Sequence, residues 1–212
     1  MPFLLDLFLH LDRYLGQIIS EYGTLTYLIL FITVFCETGL VVTPFLPGDS
    51  LLFAAGTFAA LGSLDLSLLL VVLYLAPILG DSCNYWIGRY LGPKVFSKEG
   101  VRFLNKQNLE KTHAFYEKHG GKAVIIARFM PIFRTFAPFV AGIGRMNYLR
   151  FLTYSVGGTL LWISCFVLAG YFFGNIPFVK KNFSVAIMAI ILISMLPAVF
   201  EYIKHRKTAK AV

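Results

Sequence analysis

Charged side chains are scarce in this chain. They make up 14% of its 212 residues, whereas an average globular protein contains roughly 25%. Hydrophobic residues make up 58%, more than a soluble domain of this length can bury. The composition therefore excludes a water-soluble domain, a disordered chain and a nucleic-acid-binding protein, although the formal net charge is +8. It indicates an integral membrane protein, with lipid around much of its surface.

Cysteine and histidine are also few. Cys36, Cys83 and Cys165 lie in apolar runs without a C-x-x-C spacing, and the four histidines lie in polar or terminal stretches. A membrane-embedded lipid phosphatase would need a histidine nucleophile at the membrane plane. The sequence therefore predicts that the protein is not an enzyme, and it predicts no metal site and no other cofactor.

Three apolar runs are long enough to cross a membrane as helices. They cover roughly residues 66–88, 151–173 and 184–203. The first 23 residues lack both the positively charged start and the small-residue cleavage site of a secretory signal peptide. We therefore predict that residues 1–23 form a retained amphipathic helix in the membrane interface.

Two further apolar regions are interrupted. Residues 25–61 contain Glu37 and Asp49, and residues 123–146 contain Arg128, Arg134 and Arg145. Helix-breaking residues lie in both regions: Pro44, Pro47, Gly48, Pro131, Pro138 and Gly142. Irregular backbone at membrane depth is tolerated only where protein or a cavity surrounds it. We therefore interpret both regions as re-entrant helical hairpins that break at these residues.

The order of hairpin and span occurs twice, with the lysine- and arginine-rich connection 89–122 between the copies. Cationic loops favour the cytoplasmic side, and a cytoplasmic connection would give the two copies opposite orientations, as in inverted-repeat transporters. The predicted fold is an all-α integral membrane protein, an inverted repeat of two re-entrant helical hairpins each followed by a transmembrane helix, plus a C-terminal transmembrane helix. The predicted parts are an interfacial segment at 1–23, a membrane domain at 24–175, a transmembrane helix at 176–203 and a basic cytoplasmic tail at 204–212.

Residues 122–150 carry five lysines and arginines and no carboxylate. Arg128 and Arg134 lie deepest in this apolar stretch, where an unpaired arginine is costly, and the available partners are Glu37, Asp49 and Asp81. One interpretation is a set of static salt bridges between the hairpins. The other is a phosphate site, because the planar guanidinium group binds phosphate through two parallel hydrogen bonds.

Three motifs in series resemble the DedA family, whose domain is also called the SNARE-associated Golgi or VTT domain. They are residues 44–49 after Glu37, residues 80–92, and residues 128–146. The resemblance covers roughly residues 20–175. It implies a multi-pass protein of the bacterial inner membrane, which recycles undecaprenyl phosphate or another anionic lipid across the bilayer with dependence on the proton gradient.

Site residues carry over by motif. Glu37 and Asp49 match the acidic positions that the family embeds in the membrane, and Arg128 and Arg134 match its paired arginines. The resemblance thus implies substrate binding by the arginines and proton coupling by the acids. The family often has Pro-Gly-Glu where residues 47–49 read Pro-Gly-Asp, so the carboxylate here is shorter.

The leading hypothesis is a flippase for a lipid phosphate, with membrane lipids, a polyprenyl phosphate and protons as partners. Asp81, Tyr85 and Arg89 fit the second motif as supporting residues, and helix packing explains them as well. A proton-coupled exporter of a small ion or drug is the alternative, since it would use the same acids without an arginine clamp. A structural or adaptor protein without transport is a third reading. The sequence leaves a homo-oligomer open.

Overall fold

The computed structural model describes residues 11–40, 48–96, 121–128 and 131–177, and single residues 179, 185, 188 and 189. All regular secondary structure in these residues is helical. The helices are α1 (Leu11–Tyr22), α2 (Leu25–Gly39), α3 (Gly48–Ala60), α4 (Leu66–Phe96), α5 (Lys122–Arg128), α6 (Pro131–Ile143) and α7 (Tyr148–Phe173).

Two helices are long and apolar enough to cross a membrane, Leu66–Leu91 within α4 and Tyr148–Phe173. They correspond to the first two predicted spans. Large apolar side chains on α4 stay exposed at a spacing of three or four residues: Leu68, Val71, Leu75 and Leu79. An apolar stripe of this kind suits lipid and not water. Most of the third predicted span, the basic tail, Pro44, Pro47 and most of the connection 89–122 lie outside the described residues.

The two long helices run antiparallel. The hydroxyl oxygens of Tyr74 and Ser164 lie 2.7 Å apart, and Ser155 Oγ donates a hydrogen bond of 2.7 Å to Asp81. Later positions of α4 therefore contact earlier positions of α7. Opposite directions of the two long helices are what an inverted repeat requires.

The short helices pack against both long helices in a regular way. In the first half of the chain, α2 packs on α4 and α3 packs on α7; in the second half, α5 packs on α7 and α6 packs on α4. The first short helix of each half thus contacts its own long helix, and the second contacts the long helix of the other half.

Both of these crossed contacts rest on a reciprocal pair of glycines. Between α3 and α7, a Cβ on Gly56 would overlap the carbonyl oxygen of Val167, and one on Gly170 would overlap that of Phe53. Between α6 and α4, the same holds for Gly142 with Tyr85 and for Gly88 with Phe139. Each glycine contacts the residue three positions before its partner glycine. The repeat in the sequence is therefore also a repeat in packing, in which small residues let backbones approach closely.

Two of the predicted hairpin breaks are wrong. Helix α6 continues through Pro138 and Gly142 to Ile143. Proline has no backbone N–H, so the turn before it loses one hydrogen bond. Here α4 contacts that turn, because Asn84 Nδ2 donates to the carbonyl oxygen of Thr135 at 2.7 Å. Gly142 serves the helix contact described above. Helices α3 and α6 begin at Gly48 and Pro131, where breaks were predicted, and the residues just before them, 41–47 and 129–130, lie outside the described residues.

Candidate functional site

Arg134, in the first turn of α6, contacts two acidic residues of the first hairpin region. Its Nη2 donates to Glu37 Oε1 at the end of α2, and its Nη1 donates to Asp49 Oδ1, in the first turn of α3, at 2.9 Å. Arg134 and Asp49 are 85 positions apart in the chain. The predicted contact between the two interrupted regions is confirmed.

Trp162 of α7 completes this cluster. The guanidinium carbon of Arg134 lies 4.5 Å from the centroid of the indole ring, and Trp162 Nε1 donates to Asp49 Oδ1 at 2.9 Å. Sequence reasoning missed Trp162. Its position was a usable signal, because membrane tryptophans concentrate at the two interfaces and this one lies well inside an apolar helix.

Gly48 explains how Glu37 reaches the cluster. A Cβ at Gly48 would overlap the carboxylate of Glu37. Gly48 is also the first residue of α3, whose partly positive N-terminal end favours nearby anions. Glu37 and Asp49 therefore both lie at the start of this helix.

Arg128 forms a second cluster with partners on the long helices. Its Nη2 donates to Asp81 Oδ2 on α4 and, at 3.1 Å, to Ser155 Oγ on α7. Ser155 Oγ in turn donates to the same carboxylate oxygen. Asp81 is one of the three acids that the sequence offered as partners for the deep arginines, and Ser155 was not predicted.

The two clusters are buried. The exposed fraction is 0% for Glu37, 1% for Asp81, 3% for Arg128 and 5% for Arg134. When every group is ionised, three carboxylates face two guanidinium groups. The ionised cluster therefore carries one negative charge in excess.

Several polar atoms of the clusters have no hydrogen-bond partner in the part of the chain that the structure describes. They are Glu37 Oε2, Asp81 Oδ1, Arg128 Nη1 and Arg134 Nε. Buried polar groups without partners are costly, and in a native protein each of them calls for a reason. Both arginines thus retain an N–H group that a further anion could accept from.

Tyr85 and Arg89 contact a different part of the molecule. The Tyr85 hydroxyl donates to the carbonyl oxygen of Met146, and Arg89 Nη1 donates to the Tyr85 hydroxyl at 2.9 Å. These bonds secure the turn between α6 and α7. Asn84, which sequence reasoning missed, joins the ends of two short helices through the carbonyl oxygens of Thr38 at 3.1 Å and Thr135. Among the described residues, no three acidic, histidine or cysteine side chains are grouped as metal ligands.

An all-helical arrangement around two antiparallel helices, each long and apolar enough to cross a membrane, fits the class of integral membrane proteins. The family description VTT domain matches residues 46–172. The chain belongs to the DedA family, whose domain is the VTT domain.

Bacterial relatives resemble the chain over most of their length. Protein DedA of Escherichia coli strain K12 is 54% identical over 209 residues, which are 98% of this chain and 95% of that protein. An uncharacterized membrane protein of Mycobacterium leprae is 41% identical over 184 residues, 85% of this chain and 82% of its own. Inner membrane protein YghB of E. coli K12 is 35% identical over 159 residues, 75% and 73% of the two chains. No solved structure matches the chain.

Proposed function

We propose that this protein is a flippase that moves an anionic lipid phosphate, most specifically undecaprenyl phosphate, across the bacterial inner membrane with coupling to the proton gradient. One observation carries the proposal. Two deeply buried arginines meet three carboxylates, Arg134 with Glu37 and Asp49 where α3 and α6 begin, and Arg128 with Asp81 on α4. The proposal also draws on the family resemblance.

The arginines suit a phosphate better than they suit a purely structural role. A buried ion pair contributes little net stability, because desolvation offsets most of the Coulomb attraction. Arginine binds phosphate in a bidentate manner, and Arg128 Nη1 and Arg134 Nε remain without partners among the described residues. A phosphate between the two guanidinium groups would accept hydrogen bonds from both.

Proton coupling follows because a bound phosphate would displace the carboxylates from Arg134. When Arg134 turns to a phosphate, Glu37 and Asp49 lose their cation, and a buried carboxylate without a partner is unfavourable. Protonation removes that cost. The phosphate and the protons would therefore enter the site together, and the guanidinium groups would return to the carboxylates when both have left.

The apolar surface supports a lipid as substrate. The exposed apolar stripe of α4 and exposed residues of α7 such as Leu161 and Phe172 would border the hydrocarbon chains of the bilayer. The polyprenyl tail would remain in lipid while the headgroup crosses through the buried clusters.

The excess of one carboxylate in the ionised cluster favours a second candidate. A site with net negative charge would bind a cation, so a proton-coupled exporter of a small cation or drug is the alternative. Such an exporter requires no contact between a phosphate and the arginines. A dependence of transport on the lipid phosphate headgroup therefore distinguishes the flippase from the exporter.

The test is reconstitution in liposomes with fluorescently labelled undecaprenyl phosphate, whose flip is measured with and without a pH gradient. We expect flip by the wild-type protein that the gradient accelerates, and no flip of labelled undecaprenol, which lacks the phosphate. Arg134→Lys is the matched control protein. An absence of flip by the wild-type protein, or equal flip of phosphate and alcohol, would refute the proposal, and gradient-driven cation efflux would support the alternative.

A further inference from the structure

Trp162 occupies an unusual place for a membrane tryptophan. It is the largest fully buried side chain of the described residues, with 0% exposed, and it lies well inside α7. Tryptophan in membrane proteins concentrates at the interface, where its N–H meets water or headgroups. Inside the bundle the N–H needs another acceptor, and here the acceptor is a carboxylate of the candidate site.

Trp162 contacts both members of one ion pair, Asp49 and Arg134. Asp49 Oδ1 accepts hydrogen bonds from Arg134 Nη1 and from Trp162 Nε1, each of 2.9 Å. The face of the indole ring lies against the same guanidinium group. Removing Arg134 from Asp49 would therefore leave the tryptophan bond as a contact that still fixes the carboxylate.

An indole N–H is well suited to this task, because it is a neutral donor that cannot accept a proton. It can donate to Asp49 whether that side chain is charged or protonated. Asp49 thus has one neutral donor in addition to the cation of Arg134.

We propose that Trp162 is a positioning residue of the transport site, which holds Asp49 through its N–H and Arg134 against its ring while the arginine alternates between carboxylate and lipid phosphate. This inference rests on the proposed function and deepens it. It assigns to α7 a direct part in the exchange, although the two acids and the arginine that exchange all come from the short helices α2, α3 and α6.

Spectroscopy tests the contact of the ring. The chain has two tryptophans, and the other one, Trp86, is half exposed, so Trp86→Phe leaves Trp162 as the sole indole fluorophore. We expect undecaprenyl phosphate to change the Trp162 emission, because the cation over the ring moves, and undecaprenol to leave it unchanged. Binding itself is measured separately with radiolabelled lipid. Bound phosphate with unchanged emission would overturn the inference and leave the proposed function standing; no binding to the wild-type protein would overturn both.

The N–H is tested without a change of shape. In the Trp86→Phe background, Trp162 is replaced biosynthetically by β-(3-benzothienyl)alanine, in which sulfur takes the place of the N–H group. We expect flip to slow roughly ten- to a hundredfold, as for the loss of one hydrogen bond to a charged group, with an unchanged unfolding temperature. Trp86→Phe alone serves as the control and should flip at the wild-type rate. A wild-type rate with the analogue, or a loss matched by a lower unfolding temperature, would overturn the positioning role.

Discussion

The two buried arginines differ in their surroundings, and the difference has consequences for single substitutions. Arg134 joins carboxylates from two helices, Glu37 and Asp49, and lies against an aromatic ring. Arg128 has one carboxylate, Asp81, and shares it with the Ser155 hydroxyl. A planar fork is needed to hold two separated acids at once, and lysine offers only a point charge.

We expect Arg134→Lys and Arg128→Lys each to reduce flip of the lipid phosphate at least about tenfold, because the loss of one hydrogen bond between charged groups costs about 1.5–3 kcal/mol. Both variants keep the positive charge that the carboxylates need, so they should remain folded. Flip in liposomes and thermal unfolding in detergent are the measurements. Arg150→Lys, at an exposed position of α7, is the control, and wild-type flip by both buried variants would contradict the phosphate assignment.

Charge was the part of the site that sequence could predict. A cation at membrane depth requires an anion, and Glu37, Asp49 and Asp81 were the available acids, so the contacts of Arg134 and Arg128 followed. Trp162, Ser155 and Asn84 were not predicted. A buried neutral polar group needs a hydrogen-bond partner less strongly than a buried charge needs a counter-charge, and residues on several faces of a helix could provide that partner. Only the packing of the long helices on the short helices and on each other decides which residues they meet.

Among the helices, the crossed contacts determine where the site lies. The pair α3 and α7 and the pair α6 and α4 are each brought together by two glycines that approach a carbonyl oxygen of the other helix. The same contact in both halves places the first turn of α3 opposite the first turn of α6, where Asp49 and Arg134 meet. The glycines therefore support the site without touching it.

We expect Gly170→Ala to destabilise the protein by about 1–3 kcal/mol, as inserted volume does in a close-packed contact. Gly157→Ala is a matched control on the same helix, because a Cβ there meets nothing within 4 Å. In a helix interior it should be neutral or stabilising by up to about 1 kcal/mol. Unfolding free energies in mixed detergent check both. Equal effects of the two substitutions would show that the glycine contact has no energetic role.

Helix ends were predicted only in part. Helices α3 and α6 begin at Gly48 and Pro131. Proline is common at the first position of a helix, and glycine is tolerated at a helix start. Pro138 was expected to break the helix and does not, and Asn84 of another helix donates to the carbonyl oxygen of Thr135 in the turn before this proline. Local sequence cannot report a support that comes from a residue more than 50 positions away.

The assembled protein has two distinct ends because its long helices are antiparallel. The end of α4 lies beside the start of α7, where the rings of Tyr85 and Phe151 stack with centroids 4.8 Å apart. The turn at 61–65, which precedes α4, therefore lies at the opposite end of the bundle. Since the basic connection follows α4, the positive-inside rule predicts that the start of α7 faces the cytoplasm.

We expect single cysteines at exposed positions of these two ends to react from opposite sides of the membrane. In a background without Cys36, Cys83 and Cys165, Ser63→Cys should be labelled in intact cells by an impermeant maleimide. Arg150→Cys should be labelled only after the membrane is opened. Labelling of both positions in intact cells, or of neither, would be incompatible with the inverted repeat.

The central claim is that the phosphate of the lipid and protons enter the buried clusters together. The most direct measurement is the number of protons that purified protein takes up from weakly buffered detergent solution when it binds undecaprenyl phosphate near neutral pH. We expect net uptake by the wild-type protein, because Glu37 and Asp49 lose their cation partner when the phosphate binds. The variant with both Glu37→Gln and Asp49→Asn should bind the lipid with less uptake. Binding with the same proton count in both proteins would contradict the account.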